Sequence, residues 1–190
     1  EGATLLACAR PLFLPTTAAN GFQMEFERFS PAEWSKVQLV YVCTPGNPTG
    51  RVLTLEDWRV LFELSDRFGC VIASDECYSE IYFRDEPPLG SLQAAVQLGR
   101  KDFRRLIALT SLSKRSNVPG MRSGFVAGDA ALLKQFLLYR TYHGSAMSPV
   151  VQAASIAAWG DEQHVVANRA MYRDKFARVT PMLSEVLQVA

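Results

Sequence analysis

The sequence has 190 residues, of which 48% are hydrophobic and 21% charged, and its formal net charge is +1. These values are typical of a globular chain of one domain, or of one domain and the start of a second. They give no indication of a nucleic-acid partner, because no basic run can follow the phosphates of a strand, and no apolar run is long enough to span a membrane.

Short apolar runs along the chain predict β-strands. Several are apolar at every position, a pattern typical of strands that are buried on both faces of a parallel sheet. The runs lie, in chain order, at residues 11–15, 37–43, 70–74, 105–109 and 124–128.

Helical patterns alternate with these runs. The clearest begins at Thr54, which can cap a helix together with Asp57 as the acidic partner of a capping box, and Gly69 stands where a glycine would end it. Shorter helices are predicted at residues 91–99, 129–142 and 148–159. A long final helix is predicted from about residue 161, and Pro181 is expected to kink it or to begin a new one.

The alternation of strands and helices predicts an α/β fold, a three-layer α/β/α arrangement around a mostly parallel sheet. The sequence begins without Met and stops inside an amphipathic pattern that has no capping signal. We therefore expect a piece of a longer protein, incomplete at both ends.

The four cysteines, Cys8, Cys43, Cys70 and Cys77, form no C-x-x-C pair, and only two histidines are present. Neither a zinc site nor another metal site is expected from these residues. Cys43 and Cys70 lie in or beside apolar runs, where a free cysteine behaves as a small buried hydrophobic residue. Reduced core thiols of this kind predict a cytoplasmic protein.

Polar segments follow three consecutive predicted strands. TPGNPTG follows the strand at 37–43, DECYSE follows that at 70–74, and TSLSKRSN follows that at 105–109. Parallel sheets bind ligands at the carboxyl ends of their strands, so these segments are expected to open onto one crevice. A lysine, a carboxylate, a tyrosine, serines and an arginine suit an aldehyde cofactor that bears a phosphate. No histidine lies near a strand end, which excludes a Ser-His-Asp set.

The blocks TPGNPTG, ASDECYSEIYF and SLSKRSNVPGMRSGFVAGD resemble the signature blocks of the class I/II aminotransferases, the pyridoxal-phosphate enzymes of fold type I. The resemblance covers essentially the whole chain in order and spacing. It implies pyridoxal 5'-phosphate as the cofactor, small amino-acid and keto-acid substrates, and a homodimer. It also implies that residues 1–160 are part of the large cofactor-binding domain, and that residues 161–190 lead towards a small domain.

By motif position, the resemblance assigns the cofactor contacts to named side chains. Lys114 is the expected Schiff-base lysine, which also moves a proton between the substrate α-carbon and the cofactor. Asp75 is expected at the pyridinium nitrogen. Tyr78 and Asn47 are expected to hydrogen-bond the phenolic oxygen, and Asn47 also to touch the substrate carboxylate.

Ser111, Ser113 and Arg122 are expected to bind the cofactor phosphate. The family also needs a glycine-rich phosphate turn, an aromatic residue that stacks on the ring, and an arginine that binds the substrate carboxylate. These are expected outside this chain, so the 190-residue piece alone is predicted to have little or no activity.

Each of these residues also has a purely structural interpretation. Asn47 before proline is typical of a turn, Asp75 could cap a helix over residues 76–83, and Tyr78 could pack in the core. The serines and Arg122 could be loop and surface residues. The joint occurrence at successive strand ends favours the functional interpretation for all of them. Arg115 is the exception, and we predict that it is a solvated charge in a loop.

The blocks most resemble the bacterial succinyldiaminopimelate aminotransferases of lysine biosynthesis. That resemblance implies transfer of an amino group between glutamate and N-succinyl-2-amino-6-ketopimelate. Two alternatives stay open. One is another aminotransferase or a lyase of the same fold, and the other is a non-catalytic sensor domain of a transcription regulator.

Overall fold

The computed structural model describes residues 1–144 and 146–187. Its centre is a four-stranded sheet with the spatial order β1, β2, β3, β4. The strands are β1 Leu39–Cys43, β2 Val71–Asp75, β3 Leu106–Ser111 and β4 Gly124–Gly128. The first three strands run parallel, and β4 pairs antiparallel with β3. The predicted α/β class and the mostly parallel sheet are therefore confirmed.

Helices flank this sheet. They are α1 Gly2–Leu6, α2 Pro31–Trp34, α3 Leu55–Phe68, α4 Ser91–Gln97, α5 Leu112–Arg115, α6 Ala130–Tyr142, α7 Pro149–Gly160 and α8 Gln163–Ser184. Short 3-10 turns lie at Ala18–Asn20, Phe26–Arg28 and Pro119–Met121. Among the described residues, no helix has the length and apolar character that crossing a membrane requires.

The core lies between one face of the sheet and the crossover helices α3 and α4. Val42, Ile72 and Leu106 are at most 2% exposed and belong to one hydrophobic cluster. Alternate residues of a strand point to the same face, so each strand contributes every second side chain to this cluster. Trp58 of α3 and Ala94 of α4 close it from the other side, and both are fully buried.

The helix α3 is defined at both ends by the residues that its sequence pattern indicated. The Thr54 side chain accepts a hydrogen bond from the Asp57 backbone, and the Asp57 carboxylate accepts one from the Thr54 backbone at 2.8 Å. Gly69 ends the helix with a left-handed φ of 80°. Glycine adopts this conformation without the steric cost that other residues incur.

We expect Thr54→Ala to lower the free energy of unfolding by about 1 kcal/mol, because the first turn of α3 loses its cap. Urea denaturation monitored by circular dichroism measures the change. Thr54→Ser is the matched control, since it retains the hydroxyl that accepts the bond. Equal stability of the alanine and serine variants would contradict the role of the cap.

Two local predictions differ from the structure. Residues 11–15 form no strand, and residues 76–83 form turns and bends rather than a helix. Of the two outcomes expected at Pro181, a new helix is not formed, because Pro181 lies inside α8, which continues to Ser184. Residues 145 and 188–190 lie outside the described residues, so the last positions of the predicted segment 161–190 are not described here.

Candidate active site

The carboxyl ends of β1, β2 and β3 lie at the same edge of the sheet, because these strands are parallel neighbours. Cys43, the last residue of β1, is paired in register with Asp75, the last residue of β2. The strand β3 ends at Ser111, directly before the short helix α5 that carries Lys114. The three polar segments found in the sequence therefore begin side by side.

Asn47, Tyr78 and Lys114 come together at this edge, one from each segment. The Asn47 amide donates a hydrogen bond to the Tyr78 hydroxyl at 3.1 Å. The Lys114 Nζ atom lies 5.4 Å from the centroid of the Tyr78 ring, within the range of a cation–π contact. Tyr78 thus contacts both of the other side chains and is partly exposed rather than packed in the core.

The Asp75 carboxylate is held at both of its oxygen atoms. Oδ1 accepts a hydrogen bond from the Cys77 backbone N–H at 3.1 Å, and Oδ2 accepts one from the Tyr41 hydroxyl at 3.2 Å. The first bond caps a turn rather than a helix. Carboxylate oxygens have about two acceptor sites each, so both atoms can accept a further donor.

Two thiols lie beside Asp75. Burial and, after it, the neighbouring Asp75 carboxylate together raise the pKa of Cys77 to about 12, and the positive charge of Lys114 opposes the rise. Burial is also the main reason that the pKa of Cys43 is raised. Both thiols are therefore protonated near neutral pH and are poor nucleophiles.

Ser111 and Ser113 form a compact hydroxyl pair at the start of α5. Ser111 caps this helix by accepting a hydrogen bond from the Ser113 backbone at 3.0 Å. Their Oγ atoms are 2.8 Å apart, and Ser111 Oγ also donates to the Ser123 carbonyl at 3.0 Å. That last bond ties the start of α5 to the residue that follows Arg122.

Arg122 lies in an unusual backbone conformation next to this pair. Its φ of 54° is left-handed, which is uncommon for a residue other than glycine. Its side chain is exposed, and Nη1 donates to the Pro119 carbonyl at 2.9 Å. The chain then passes so close to β3 that a Cβ atom on Gly124 would lie 2.4 Å from the Thr110 carbonyl oxygen.

Arg115 is buried, so the prediction of a solvated loop charge was wrong. Arg115 is 6% exposed, and its guanidinium forms ion pairs with Glu162 and, at 3.8 Å, with Glu80. The guanidinium carbon also lies 5.2 Å from the centroid of the Trp159 ring. Acidic and aromatic partners from distant parts of the chain compensate the burial of the charge, and local sequence carries no sign of them.

The start of α8 holds the backbone around Lys114. The buried Asn168 amide donates to the carbonyls of Lys114 and Arg115 at 3.2 and 3.4 Å. His164 Nε2 lies 2.7 Å from the Ser116 hydroxyl. Sequence patterns gave no indication of these contacts, because an asparagine or histidine on a helix most often faces solvent.

We expect Asn168→Ala to lower the free energy of unfolding by about 1–3 kcal/mol, because two carbonyls around Lys114 lose a buried donor. Chemical denaturation monitored by tryptophan fluorescence measures this loss. Gln163→Ala, on an exposed position of the same helix, is the control and is expected to change stability by less than about 0.5 kcal/mol. Similar losses in both variants would show that the amide does not stabilise the loop.

Comparison with known proteins identifies the family. Residues 3–189 match the family described as aminotransferase class I and II. The chain belongs to this family. Class I and II aminotransferases use pyridoxal phosphate. Among the described residues, no group of three or more His, Cys, Asp or Glu side chains is arranged to hold a metal ion.

Several members of the family are similar to this chain. An aminotransferase of Neisseria meningitidis is 58% identical and superimposes with a TM-score of 0.92, over 100% of this chain and 48% of its own. The 4-dedimethylamino-4-oxo-anhydrotetracycline transaminase of Streptomyces rimosus is 41% identical over 72% of this chain and 37% of its own length. The LL-diaminopimelate aminotransferase of Desulforudis audaxviator is 30% identical over 97% of this chain and 46% of its own length. The chain thus spans less than half the length of these relatives.

Proposed function

We propose that the full-length protein containing this chain is a pyridoxal-phosphate-dependent aminotransferase that moves an amino group between an amino acid and a keto acid. One observation carries the proposal. Asn47, Asp75, Tyr78 and Lys114, at the motif positions of the family, lie at one edge of the sheet, and Tyr78 contacts both Asn47 and Lys114. The family match over residues 3–189 supports it.

The donors and acceptors at this edge fit pyridoxal phosphate. When bound, the cofactor supplies an aldehyde that condenses with amines and a ring that withdraws electrons from the bonds around the amino carbon. Asp75 would bind the pyridinium nitrogen through the acceptor sites left on its oxygens. Tyr78 and Asn47, already bonded to each other, would bind the phenolic oxygen.

Lys114 performs the proton transfer in this proposal. Its Nζ atom would accept the proton that leaves the substrate α-carbon, which is general base catalysis. The amine must therefore stay close to the bound substrate while its backbone stays fixed. The contacts of Asn168 with the carbonyls of Lys114 and Arg115 support that requirement.

Ser111, Ser113 and Arg122 are proposed to bind the phosphate. A hydroxyl pair at the start of α5, together with an exposed guanidinium, matches the acceptors of a phosphate group. Arg122 uses one of its five N–H donors on Pro119, which leaves others for an anion. The orientation of the Ser113 hydroxyl depends on Ser111, since the two hydroxyls are hydrogen-bonded to each other.

The test of the cofactor assignment is chemical trapping in the full-length protein. Borohydride treatment after incubation with pyridoxal phosphate is expected to fix the cofactor covalently on Lys114, and peptide mass mapping locates the adduct. An adduct on another lysine, or none at all, would count decisively against the proposal.

For the substrates, we propose glutamate as the amino donor and a keto derivative of pimelate, N-succinyl-2-amino-6-ketopimelate, as the acceptor, in lysine biosynthesis. The 30% identity with an LL-diaminopimelate aminotransferase supports a substrate of this chemical class. Asn47 would contact its carboxylate. A cytoplasmic homodimer is part of the same proposal. Turnover measured with glutamate against a panel of keto acids tests the substrate assignment. A strong preference for an aromatic acceptor would overturn the pimelate assignment.

A further inference from the structure

Tyr41 lies outside every motif that the sequence offers, in the apolar run of β1. Its hydroxyl nevertheless donates a hydrogen bond to Asp75 Oδ2 at 3.2 Å. Tyr41 is 60% exposed, on a strand whose Leu39 is also 55% exposed. The polar end of this side chain is thus directed at the one carboxylate proposed to contact the cofactor ring.

The register of the sheet explains how the two side chains meet. Tyr41 is paired with Ala73, and Asp75 follows two positions later on β2, paired with Cys43. Residues with this diagonal relation lie on the same face, within reach of an aromatic side chain. The contact is therefore set by the two parallel strands and does not depend on a loop.

The Tyr41 hydroxyl is a donor throughout the physiological range of pH. Burial around the hydroxyl and the negative charge of Asp75 raise the pKa of Tyr41 to about 12, with smaller contributions from Cys77 and Cys43. The phenol therefore stays protonated and donates a hydrogen bond to the carboxylate. Together with the Cys77 backbone N–H on Oδ1, it gives each oxygen of Asp75 one fixed donor.

We propose that Tyr41 is a positioning residue, whose hydroxyl fixes the orientation of the Asp75 carboxylate towards the pyridinium nitrogen of the cofactor. The inference rests on the proposed function, because it takes Asp75 as the partner of that nitrogen. Without the Tyr41 hydroxyl, Oδ2 loses this donor, and the contacts with Cys77 are left to hold the carboxylate, which is then freer to rotate. The expected consequence is weaker binding of the cofactor ring.

The first test measures cofactor binding by Tyr41→Phe in the full-length protein, because this change removes only the hydroxyl. We expect the dissociation constant for pyridoxal phosphate to rise about tenfold, the usual effect of losing one hydrogen bond to a charged group. The turnover number is expected to fall while KM for the amino donor changes little. Tyr172→Phe is the control, since it retains the ring on which Lys175 packs.

The second test examines the contact in the protein without cofactor. The ultraviolet difference between the parent and its Tyr41→Phe variant reports the ionisation of Tyr41 alone. The same difference is measured on an Asp75→Asn background. Removing the carboxylate is expected to lower the pKa of Tyr41, because its negative charge no longer opposes phenolate formation.

The two tests separate the inference from the function on which it rests. Unchanged cofactor affinity in Tyr41→Phe, with normal binding by the parent, overturns the positioning role alone. An unchanged pKa of Tyr41 in the Asp75→Asn background overturns the contact itself. Failure of the parent to bind pyridoxal phosphate overturns the proposed function and the positioning role together, even where the tyrosine titration shows that the contact exists.

Discussion

Lys114→Ala is expected to lower amino transfer by at least about 10⁴-fold, because the variant loses the amine that acts as base and cofactor ligand. Steady-state turnover of the full-length protein with glutamate and a keto acid measures the loss. The borohydride adduct is expected to disappear in the same variant. Folding should be preserved, since Lys114 is partly exposed and its backbone is held by Asn168.

Lys101→Ala is the matched control for this substitution. Lys101 is exposed in the loop between α4 and β3, at the edge of the sheet opposite the site. Its replacement should leave both turnover and the adduct unchanged. If Lys114→Ala retained more than a few per cent of the parent rate, another residue would have to supply the base, and the assignment of Lys114 would be wrong.

The second large effect is expected for Asp75→Asn, which should lower turnover by about 10²–10³-fold, the range for removal of one preorganised electrostatic contact in an active site. An amide of the same shape keeps the contact with the Cys77 backbone N–H but carries no negative charge. The cofactor ring would then lose the charge that balances a protonated pyridine nitrogen. Single-turnover kinetics on the loaded protein separates this loss from weaker cofactor binding.

Asp85→Asn serves as the control, because Asp85 is exposed in the segment that follows Tyr82 and Phe83. The Asp85→Asn variant is expected to react at the parent rate. Should Asp75→Asn also retain the parent rate at saturating cofactor, Asp75 would be a structural residue that only caps the Cys77 turn. That result would leave the Lys114 prediction intact, since the two substitutions test different atoms.

The features that could be predicted from the sequence are those encoded in local patterns. The capping box of Thr54 and Asp57 and the terminal Gly69 predict both ends of α3 from local sequence alone. The polar segments after three strands predicted a common edge, because parallel neighbours end on the same side. The antiparallel direction of β4 was not specified, since a short apolar run has the same appearance in either direction.

Predictions were wrong where a contact between distant parts of the chain overrode the local pattern, or where the contact that the pattern needs is absent. The run at residues 11–15 has strand composition, but it begins and ends with proline, which cannot donate to a ladder, and none of the four strands in the described residues pairs with it. Residues 76–83 have helical composition, yet the Asp75 carboxylate and the Glu76 side chain bind backbone N–H groups of Cys77 and Ser91 instead. Tertiary contacts override weak local preference in both places.

The partners of the site residues were the least predictable part of the molecule. Tyr41 lies in an apolar run where only the sheet register directs its hydroxyl to Asp75. Arg115 is buried against Glu162, which lies 47 positions later in the chain. A single sequence gives no information on pairing at such separations, so a charged residue next to a lysine is assigned to the solvent by default.

The short length of α5 has a consequence for screening and for transplanting this site. Four residues cannot form a stable helix alone, so the shape of the lysine-bearing turn depends on the asparagine amide of α8, 54 positions away. A mutational library limited to the SLSKR segment would therefore sample only part of what determines the geometry of Lys114. A graft of that segment into another scaffold would need a substitute for Asn168 as well.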